Sequence, residues 1–501
     1  MATIRGSSGR TVVVELTTAR GSPLYAQVFE AIRARIVDGS LRPAAPIAST
    51  RALARDLRVS RSTILLAIRQ LKAEGYIECR RGAATRVCRT LPDRFHRAAS
   101  ASTQPTAPAH HGVPSSRARR VSAIPRSLDI AGSPPRAFRV AVPAVDTFPV
   151  DAWGRILARR WRRTPARGLA YGSPLGYLPL RQAIADYLTS ARGTRTTAER
   201  IMIVNGSQEA LDLTCRVVLD PGDAAWLEDP GYFGARGALT AAGAKIIPVP
   251  VDADGLCVTH GVRIAPHARL AYVTPARQMP LGVTLSLARR LELIAWARKA
   301  SSWILEDDYD SEFRYAGRPL AALHGLDSDG SVIFAGSFSK VLFPGLRLGY
   351  VVVPSSLMDA FGAMRHFLNY SSHYLEQAVL ADFIAEGHFE RHIRRTRAVY
   401  FERQHVLVDA VQYELAGRMT VAPANAGLSL VGWLPEPMSD AVAAQMARKH
   451  TVDVWPLSSF SMRRLLPGLM LGYAGLSDVE IRDGVVRLSA ALDDADRAAR
   501  R

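Results

Sequence analysis

The stretch Gly336-Ser337-Phe338-Ser339-Lys340, followed by Leu346-Arg347-Leu348-Gly349, decides how this chain is read. A lysine stands just past two hydroxyls, and an arginine lies seven residues downstream. The apolar run Ser331 to Ala335 upstream reads as a buried strand that delivers the loop. An amine so placed takes an aldehyde while hydroxyls and a guanidinium hold a phosphate, and that grouping suits pyridoxal 5'-phosphate (PLP).

Working back from the lysine, Glu306-Asp307-Asp308-Tyr309-Asp310 follows the short strand Trp303 to Leu305. Side chains two apart on an extended segment share a face. Asp307 and Tyr309 therefore point together while Glu306 and Asp308 point elsewhere. PLP needs an acid against its pyridine nitrogen and a donor near its phenolic oxygen, and Asp307 and Tyr309 suit these places. Alone, such an acidic strand end reads as a solvated loop or a helix cap. Gly206-Ser207-Gln208 lies between a strand and a helix, where backbone N–H groups bind phosphate. Asp229-Pro230-Gly231-Tyr232 puts an aromatic after a tight turn, placed to stack on a pyridine ring, although a core or surface tyrosine is the commoner outcome. Tyr171-Gly172-Ser173-Pro174-Leu175-Gly176, ahead of Leu180-Arg181, is a further candidate.

The chain has 501 residues, 48% of them hydrophobic, enough for two or three domains with full cores. Its net charge is +19, of which residues 1–130 carry +14. An arginine-rich composition explains a basic chain but not this asymmetry, which suits an N-terminal footprint for phosphate. Cys79, Cys88, Cys215 and Cys257 show no metal spacing, so reduced thiols and no bound metal are expected. No run is long enough to span a bilayer, and Thr11 to Leu16 is too short for a signal peptide. A cytoplasmic protein is expected.

Near the N-terminus, Val28, Ile32 and Ile36 repeat at helical spacing after Ser22-Pro23-Leu24-Tyr25. A second helix is expected over Thr50 to Leu57. A third begins at Ser60, a good N-cap, and runs to Glu74. Its stripe is Ile64, Ile68 and Leu71, with Arg61, Ser62, Arg69 and Lys72 off it. Two strands around the basic turn Arg80-Arg81-Gly82 follow. A short positioning helix, a turn and a recognition helix fit a DNA-binding helix-turn-helix, whereas an isolated pattern of this kind is often just two packed helices. From Arg89 to Ser127 the apolar pattern dissolves into Ala, Ser, Pro, His and Arg, which reads as a flexible linker with a solvated Arg117-Ala118-Arg119-Arg120 cluster. From Leu128 onward short strands (Ile201 to Val204, Ala224 to Leu227, Leu270 to Val273) alternate with helices, as in an α/β fold with a largely parallel sheet.

The segments "SPLYAQVFEAIRARIVDGSL", "STRALARDLRVSRSTI" and "LKAEGYIECRRG" resemble the GntR-type winged helix. That resemblance implies DNA contacts at Ser49, Thr50, Arg51, Arg61, Ser62 and Thr63, with the wing around Arg81 and Gly82. The segments "YGSPLGYLPLR", "GSQEALDL", "EDPGYFGAR", "TPARQMPLG", "ILEDDYDSEFRY" and "GSFSKVLFPGLRLGYVV" resemble a fold type I aminotransferase, and the two together resemble the MocR/GabR subfamily of GntR regulators. The resemblance implies a multidomain chain: a winged helix-turn-helix over residues 20–88, a linker over 89–127, a large PLP-binding α/β aminotransferase-like domain over 128–360, and a smaller C-terminal α+β lobe over 361–501. It implies Lys340 as the aldimine lysine, Asp307 on the pyridine nitrogen and Tyr309 at the phenolic oxygen. Ser207, Gln208, Ser337 and Arg347 would surround the phosphate, Tyr232 would stack, and Tyr171 would reach the partner subunit's phosphate in a homodimer. The implied partners are a double-stranded DNA operator and a small effector: an amine, an amino acid or PLP itself.

Several positions depart from that family. Pro43-Ala44 and Ile47-Ala48 stand for its usual Pro-Gly and Leu-Pro, and Gly82-Ala83-Ala84 for the wing's Gly-Ser-Gly. Ala276-Arg277-Gln278 replaces its Ser-His-Gln, and Arg277 would add a cation near the cofactor or effector. The C-terminal strand Leu469-Met470-Leu471-Gly472-Tyr473 has no arginine for a substrate carboxylate, with Arg463 and Arg464 nearby but off the pattern and Arg236 a further anion candidate. Slow or absent turnover is therefore expected, and a PLP-dependent transcriptional regulator ranks ahead of a working aminotransferase with an accessory DNA-binding domain. A regulator that has lost PLP is disfavoured by the intact Lys340, Asp307, Tyr309 and Arg347.

Overall fold

The computed structural model describes residues 2–5, 11–14, 23–78, 84–91, 112–124, 136–315, 321–370, 373–463 and 465–499. They divide into two compact units, Met1–Val113 and Pro114–Arg501.

In the first unit, β1 (Ala2–Arg5) and β2 (Thr11–Val14) pair antiparallel, so part of the apolar run Thr11 to Leu16 is a strand. Three helices follow, α1 (Leu24–Val37), α2 (Thr50–Leu57) and α3 (Arg61–Ala73), then a short antiparallel pair, β3 (Ile77–Glu78) and β4 (Arg86–Val87). Val28, Ile32, Ile36, Leu53, Leu57, Ile64, Ile68 and Leu71 meet in one core, because positions three and four apart share a helix face. Ser49 Oγ accepts from the Ala52 N–H at 3.2 Å, and Ser60 Oγ from the Thr63 N–H at 3.1 Å. These caps satisfy donors that a helix start leaves unpaired. Arg58 ends α2 in the left-handed region at φ 54°, where a side chain costs roughly 1–2 kcal/mol and glycine is usual. That turn lets α3 begin at once, which is the geometry expected of a positioning helix and a recognition helix.

The second unit is built on strands β5 (Ile201–Val204), β6 (Ala224–Asp229), β7 (Lys245–Asp252), β8 (Gly255–Leu256), β9 (Leu270–Val273), β10 (Trp303–Asp308), β11 (Val332–Ser337) and β12 (Gly349–Val352). They form one sheet in the order β5-β12-β11-β10-β9-β6-β7-β8. The centre, β11-β10-β9-β6-β7, is parallel. β12 runs antiparallel to β11 and β5, and β8 to β7, so the sheet is mixed at its edges. Both faces are buried: Ile201 and Ile203 join one hydrophobic cluster while Met202 and Val204 join another. Helices cover both faces of such a sheet, which is why its strands read as continuous apolar runs. The parallel strands end along one edge, and open α/β sheets bind their ligands there.

The smaller lobe carries β13 (Thr420–Val421), β14 (Ser429–Trp433), β15 (Trp455–Pro456) and β16 (Gly468–Gly472), antiparallel in the order β13-β14-β16-β15. Helices His388–Glu414, Asp440–Lys449 and Asp478–Ala499 accompany it. Residues 137–138, assigned by sequence to the large domain, pair with this lobe. The Gly472 N–H donates to the Phe138 carbonyl at 3.0 Å and the Asp453 N–H to that of Ala137 at 2.8 Å. Phe138 is fully buried, and burying its ring holds the entering segment against the lobe.

Inside the stretch read as linker, Ser116–Ser122 is helical. Ser115 Oγ accepts from the Ala118 N–H at 3.1 Å, and Arg119 Nη1 donates to the Pro114 carbonyl at 2.7 Å. None of this helix is buried, so it carries no apolar period from which to be read. Among the described residues no helix is long and apolar enough to cross a membrane.

Ile64 is fully buried at the centre of the first unit's core. Ile64→Ala is expected to cost that unit about 2–5 kcal/mol. The measurement is denaturant unfolding followed by circular dichroism, and a change below about 1 kcal/mol would show that α3 is not packed as described.

Candidate functional site

At the edge where the parallel strands end, a cavity of about 290 Å³ opens among Lys340, Asp307, Tyr309, Tyr232, Ser207 and Arg277, with an apolar wall on the side of the smaller lobe. Each polar lining group is placed by its strand. Ser337 closes β11 and the loop after it brings Lys340 round to donate from Nζ to the Ala141 carbonyl at 2.9 Å. Burial lowers the Lys340 ammonium to about 8, against the opposing pull of Asp310. Asp307 and Tyr309 both line the cavity from the end of β10. Glu306 instead accepts from the Leu323 and His324 N–H groups at 2.9 and 2.8 Å, and Asp308 pairs with buried Arg192 at 2.6 Å.

Asp307 Oδ2 accepts from the Tyr272 hydroxyl at 2.8 Å. Its Oδ1 is buried with no hydrogen-bond partner among the described residues. Burial raises this carboxyl to about 7. An unpartnered acceptor of this kind fits a protonated ring nitrogen, whose positive charge and N–H would offset both penalties. Tyr309 Oη accepts from Arg277 Nη1 at 3.3 Å, and the same nitrogen lies 3.3 Å from Asp310 Oδ2. With its oxygen already accepting, the phenol hydrogen is left to donate, as a phenolate oxygen on a cofactor ring requires.

The residues expected at the phosphate are the segment Gly206-Ser207-Gln208 and the loops after β11. Ser207 starts the helix Ser207–Val218, with Gly206 as its N-cap at φ 90°. A Cβ on Gly206 would stand 3.7 Å from Arg347 Nη1, so the guanidinium lies against that helix start. The Arg347 N–H donates to the Pro344 carbonyl at 3.4 Å, and the residue is itself in the left-handed region at φ 50°. Tyr232 reaches Gln208 Oε1 at 3.4 Å, and Gln208 Nε2 donates to the Gly234 carbonyl at 3.0 Å. A Cβ on Gly234 would sit 2.4 Å from the Tyr232 ring, so only glycine lets that ring take its place. Ser337 Oγ accepts from the Ser339 N–H at 3.2 Å. The Ser339 hydroxyl, next to the lysine in sequence, is buried and has no partner among the described residues. The sequence marks Ser339 as one of the two hydroxyls before the lysine without giving it a place of its own, and it carries no signal for Tyr272.

Tyr171 does not line this chain's cavity. It is 86% exposed, its ring 5.4 Å from that of Tyr370. Arg236 donates to the Ser459 carbonyl at 3.3 Å and Arg463 pairs with buried Asp229 at 2.7 Å; neither lines the cavity. Arg464 lies outside the described residues. In the first unit, Arg61 and Ser62 are exposed at the start of α3 and Arg51 is exposed at the start of α2, while Ser49 acts as a cap and Thr50 and Thr63 are half-buried. Arg81 and Gly82 lie outside the described residues.

Two family models match this chain: bacterial regulatory proteins of the gntR family over residues 24–87, and aminotransferase class I and II over residues 140–488. It is 40% identical over 477 residues to the probable rhizopine catabolism regulatory protein MocR of Rhizobium meliloti, covering 94% of each chain. It is 31% identical to the HTH-type pyridoxine biosynthesis transcriptional regulator PdxR of Corynebacterium glutamicum, over 87% of this chain and 88% of that one. Among solved structures it is similar to the α-aminoadipate aminotransferase LysN of Thermus thermophilus in complex with N-(5'-phosphopyridoxyl)-L-leucine. That likeness has a TM-score of 0.71 at 27% identity and covers 77% of this chain and 98% of that one. The chain belongs to the MocR-type regulators, in which a GntR-family DNA-binding domain precedes a class I and II aminotransferase domain. Pyridoxal phosphate is the cofactor of that domain.

The lowered Lys340 value sets a testable pH dependence. In the cofactor-free protein, labelling of Lys340 by an amine-reactive reagent should rise through about pH 8, where an exposed lysine rises near 10.4. Peptide mass spectrometry across the pH series measures it. A midpoint at the ordinary lysine value would mean that the amine is solvated and not buried in the cavity.

Proposed function

We propose that this chain regulates transcription in the cytoplasm as a homodimer, binding an operator in double-stranded DNA through its first unit and a small ligand through its PLP-bearing second unit. The observation that carries this reading is the presence, in one chain, of a capped helix start exposing Arg61 and Ser62 and of a cavity holding Lys340 beside an unpartnered Asp307 oxygen. When bound, PLP supplies an aldehyde carbon that bonds amines and a ring that withdraws electrons from them. Lys340 would hold that aldehyde; its lowered ammonium favours the neutral amine needed for the bond. Asp307 would keep a proton on the ring nitrogen, and Tyr309, polarised by Arg277, would donate to the phenolic oxygen. Ser207, Gln208, Ser337 and Arg347 would take the phosphate, with the helix start at Ser207 adding backbone donors. Tyr232 would stack on the ring.

Tyr171 supports the homodimer. It stands exposed with Phe367 and Tyr370, an apolar group that a second copy would cover while receiving Tyr171 at its phosphate site. Regulation needs only that the ligand bind one state of the regulator more tightly than another. The ligand is an amine, an amino acid or PLP.

Two experiments test the reading. Arg61→Ala removes a charge at the start of α3 and should weaken operator binding by about 1–3 kcal/mol if Arg61 reads a base edge. Fluorescence anisotropy over a salt series measures this, and undiminished affinity would remove Arg61 from the interface. For the second unit, Lys340→Ala should abolish the visible absorbance of lysine-bound cofactor while leaving the far-ultraviolet spectrum intact. Wild-type protein offered amino donors and α-keto acids should give no multiple-turnover keto product. Turnover at ordinary rates, ~1–10³ s⁻¹, would make the chain a working aminotransferase with an accessory DNA-binding domain.

A further inference from the structure

The wall of the cofactor cavity that faces the smaller lobe has a composition of its own. Along β16 side chains alternate: Leu469 and Leu471 enter the lobe's main core, while Met470 turns to the opposite face. There it packs with Val140, Met279, Leu457 and Phe460, against Tyr309, Val431 and Trp455. Met470 is fully buried and does not itself line the cavity; it packs behind Val140, Met279 and Trp455, which do, so this strand backs the wall with methyl and thioether atoms and no charge.

The cations that line the cavity are Lys340 and Arg277. Lys340 is taken by the cofactor. Arg277 is nearly fully buried and its two terminal nitrogens are committed, Nη1 to Asp310 and Tyr309 and Nη2 to the Ser429 carbonyl, while Nε, buried against Gly427, has no partner among the described residues. Its plane is held between two glycines. A Cβ on Gly427 would fall 2.1 Å from Nε, and one on Gly282 would fall 3.4 Å from Nη2. Its charge is met by Asp310, which itself lines the cavity. A carboxylate entering here would lose its water, find a guanidinium already neutralised, and stand close to a second negative charge. Each of these is costly in a low-dielectric site. An amine with an apolar body would meet none of them.

From this wall we propose that the effector of this chain is a primary amine that carries no carboxylate, with Met470 and the Arg277–Asp310 pair as the elements that exclude amino acids. The inference rests on PLP occupying the cavity at Lys340, and it narrows the ligand class left open above.

The test uses the full-length, PLP-loaded protein. Borohydride reduction followed by mass spectrometry of the Lys340 peptide is done first; absence of the cofactor mass there would sink the PLP reading itself and the inference with it. Cofactor found on Lys340 makes the second part a test of the ligand class alone. Butylamine, L-norvaline and γ-aminobutyrate are then titrated, following the visible absorbance of the cofactor and the heat of binding. L-Norvaline is butylamine with an added α-carboxylate, and γ-aminobutyrate places its carboxylate at the far end. With concentrations expressed as neutral amine, butylamine should half-saturate at a concentration lower than either acid by on the order of 100-fold. Equal response, preference for either acid, or no response to butylamine would overturn the inference. Met470→Arg should narrow the gap by strengthening the acids; because Met470 is buried and this variant can fail to fold, Arg277→Gln in parallel gives the second comparison. If Arg277 were a carboxylate anchor, L-norvaline and γ-aminobutyrate would weaken selectively in that variant, and such a loss would overturn the inference.

Discussion

Four acidic side chains stand within five residues at the head of β10, all of them buried, and the site depends on giving each a separate answer. Buried charges are costly unless paired or hydrogen-bonded. Glu306 takes two backbone N–H groups at the start of a short helix, and Asp308 takes Arg192. Asp310 takes Arg277. Asp307 receives a single phenol, with its second oxygen unpartnered. The strand's alternation sorts them, two outward to structural partners and one inward with Tyr309. Asp308 Oδ1 is likewise without a partner among the described residues, but Asp308 has a guanidinium beside it and does not line the cavity; of the two acids that do, Asp310 has Arg277, and Asp307 is left with the deficit of a cation bearing an N–H.

Arg277 joins two parts of this arrangement. It compensates Asp310 and at the same time fixes the hydrogen-bonding role of Tyr309. Its guanidinium is admitted by two glycines and ends on a carbonyl of β14, so it also ties the ends of the large sheet to the smaller lobe. A histidine at this place would be shorter and largely neutral near pH 7, and would leave Asp310 without its charge partner.

Much of this was legible in the chain. α2, β5 and β9 fall on the residues expected, because their apolar spacing and flanking caps agree with the local geometry. The lysine loop and the Asp307/Tyr309 pair follow from strand periodicity and the chemistry of a phosphorylated pyridine. Other features have no local signature. The helix Ser116–Ser122 buries nothing and so shows no stripe. Phe138 joins the smaller lobe through contacts with residues more than three hundred positions away, which no window on the sequence can contain. Tyr272 serves Asp307 from a neighbouring strand, and the spacing of two strands in a sheet says nothing about which of their side chains meet. Arg277 was visible as a departure, but its partner was not.

The same residues bear on why a complete cofactor set should accompany weak chemistry. Bonding an amine demands a neutral nucleophile and a protonated ring, which Lys340 and Asp307 would supply on the proposed reading. Breaking a bond at the carbon next to that amine demands in addition that the ligand be held in one orientation about its new bond, and such positioning is where a large part of an enzyme's rate resides. An ion pair to a carboxylate is a directional tether; an apolar wall of Val140, Met279 and Trp455, backed by Met470, excludes water and fills space but leaves rotation about the bond free. A cavity of this kind would therefore separate recognition from turnover. On the proposed reading, the ligand's presence would be registered in the cofactor's bonding, and a ligand without a directional tether would be consumed slowly or not at all. For a regulator that separation is an advantage, since a signal destroyed by its own sensor would have to be continually resupplied.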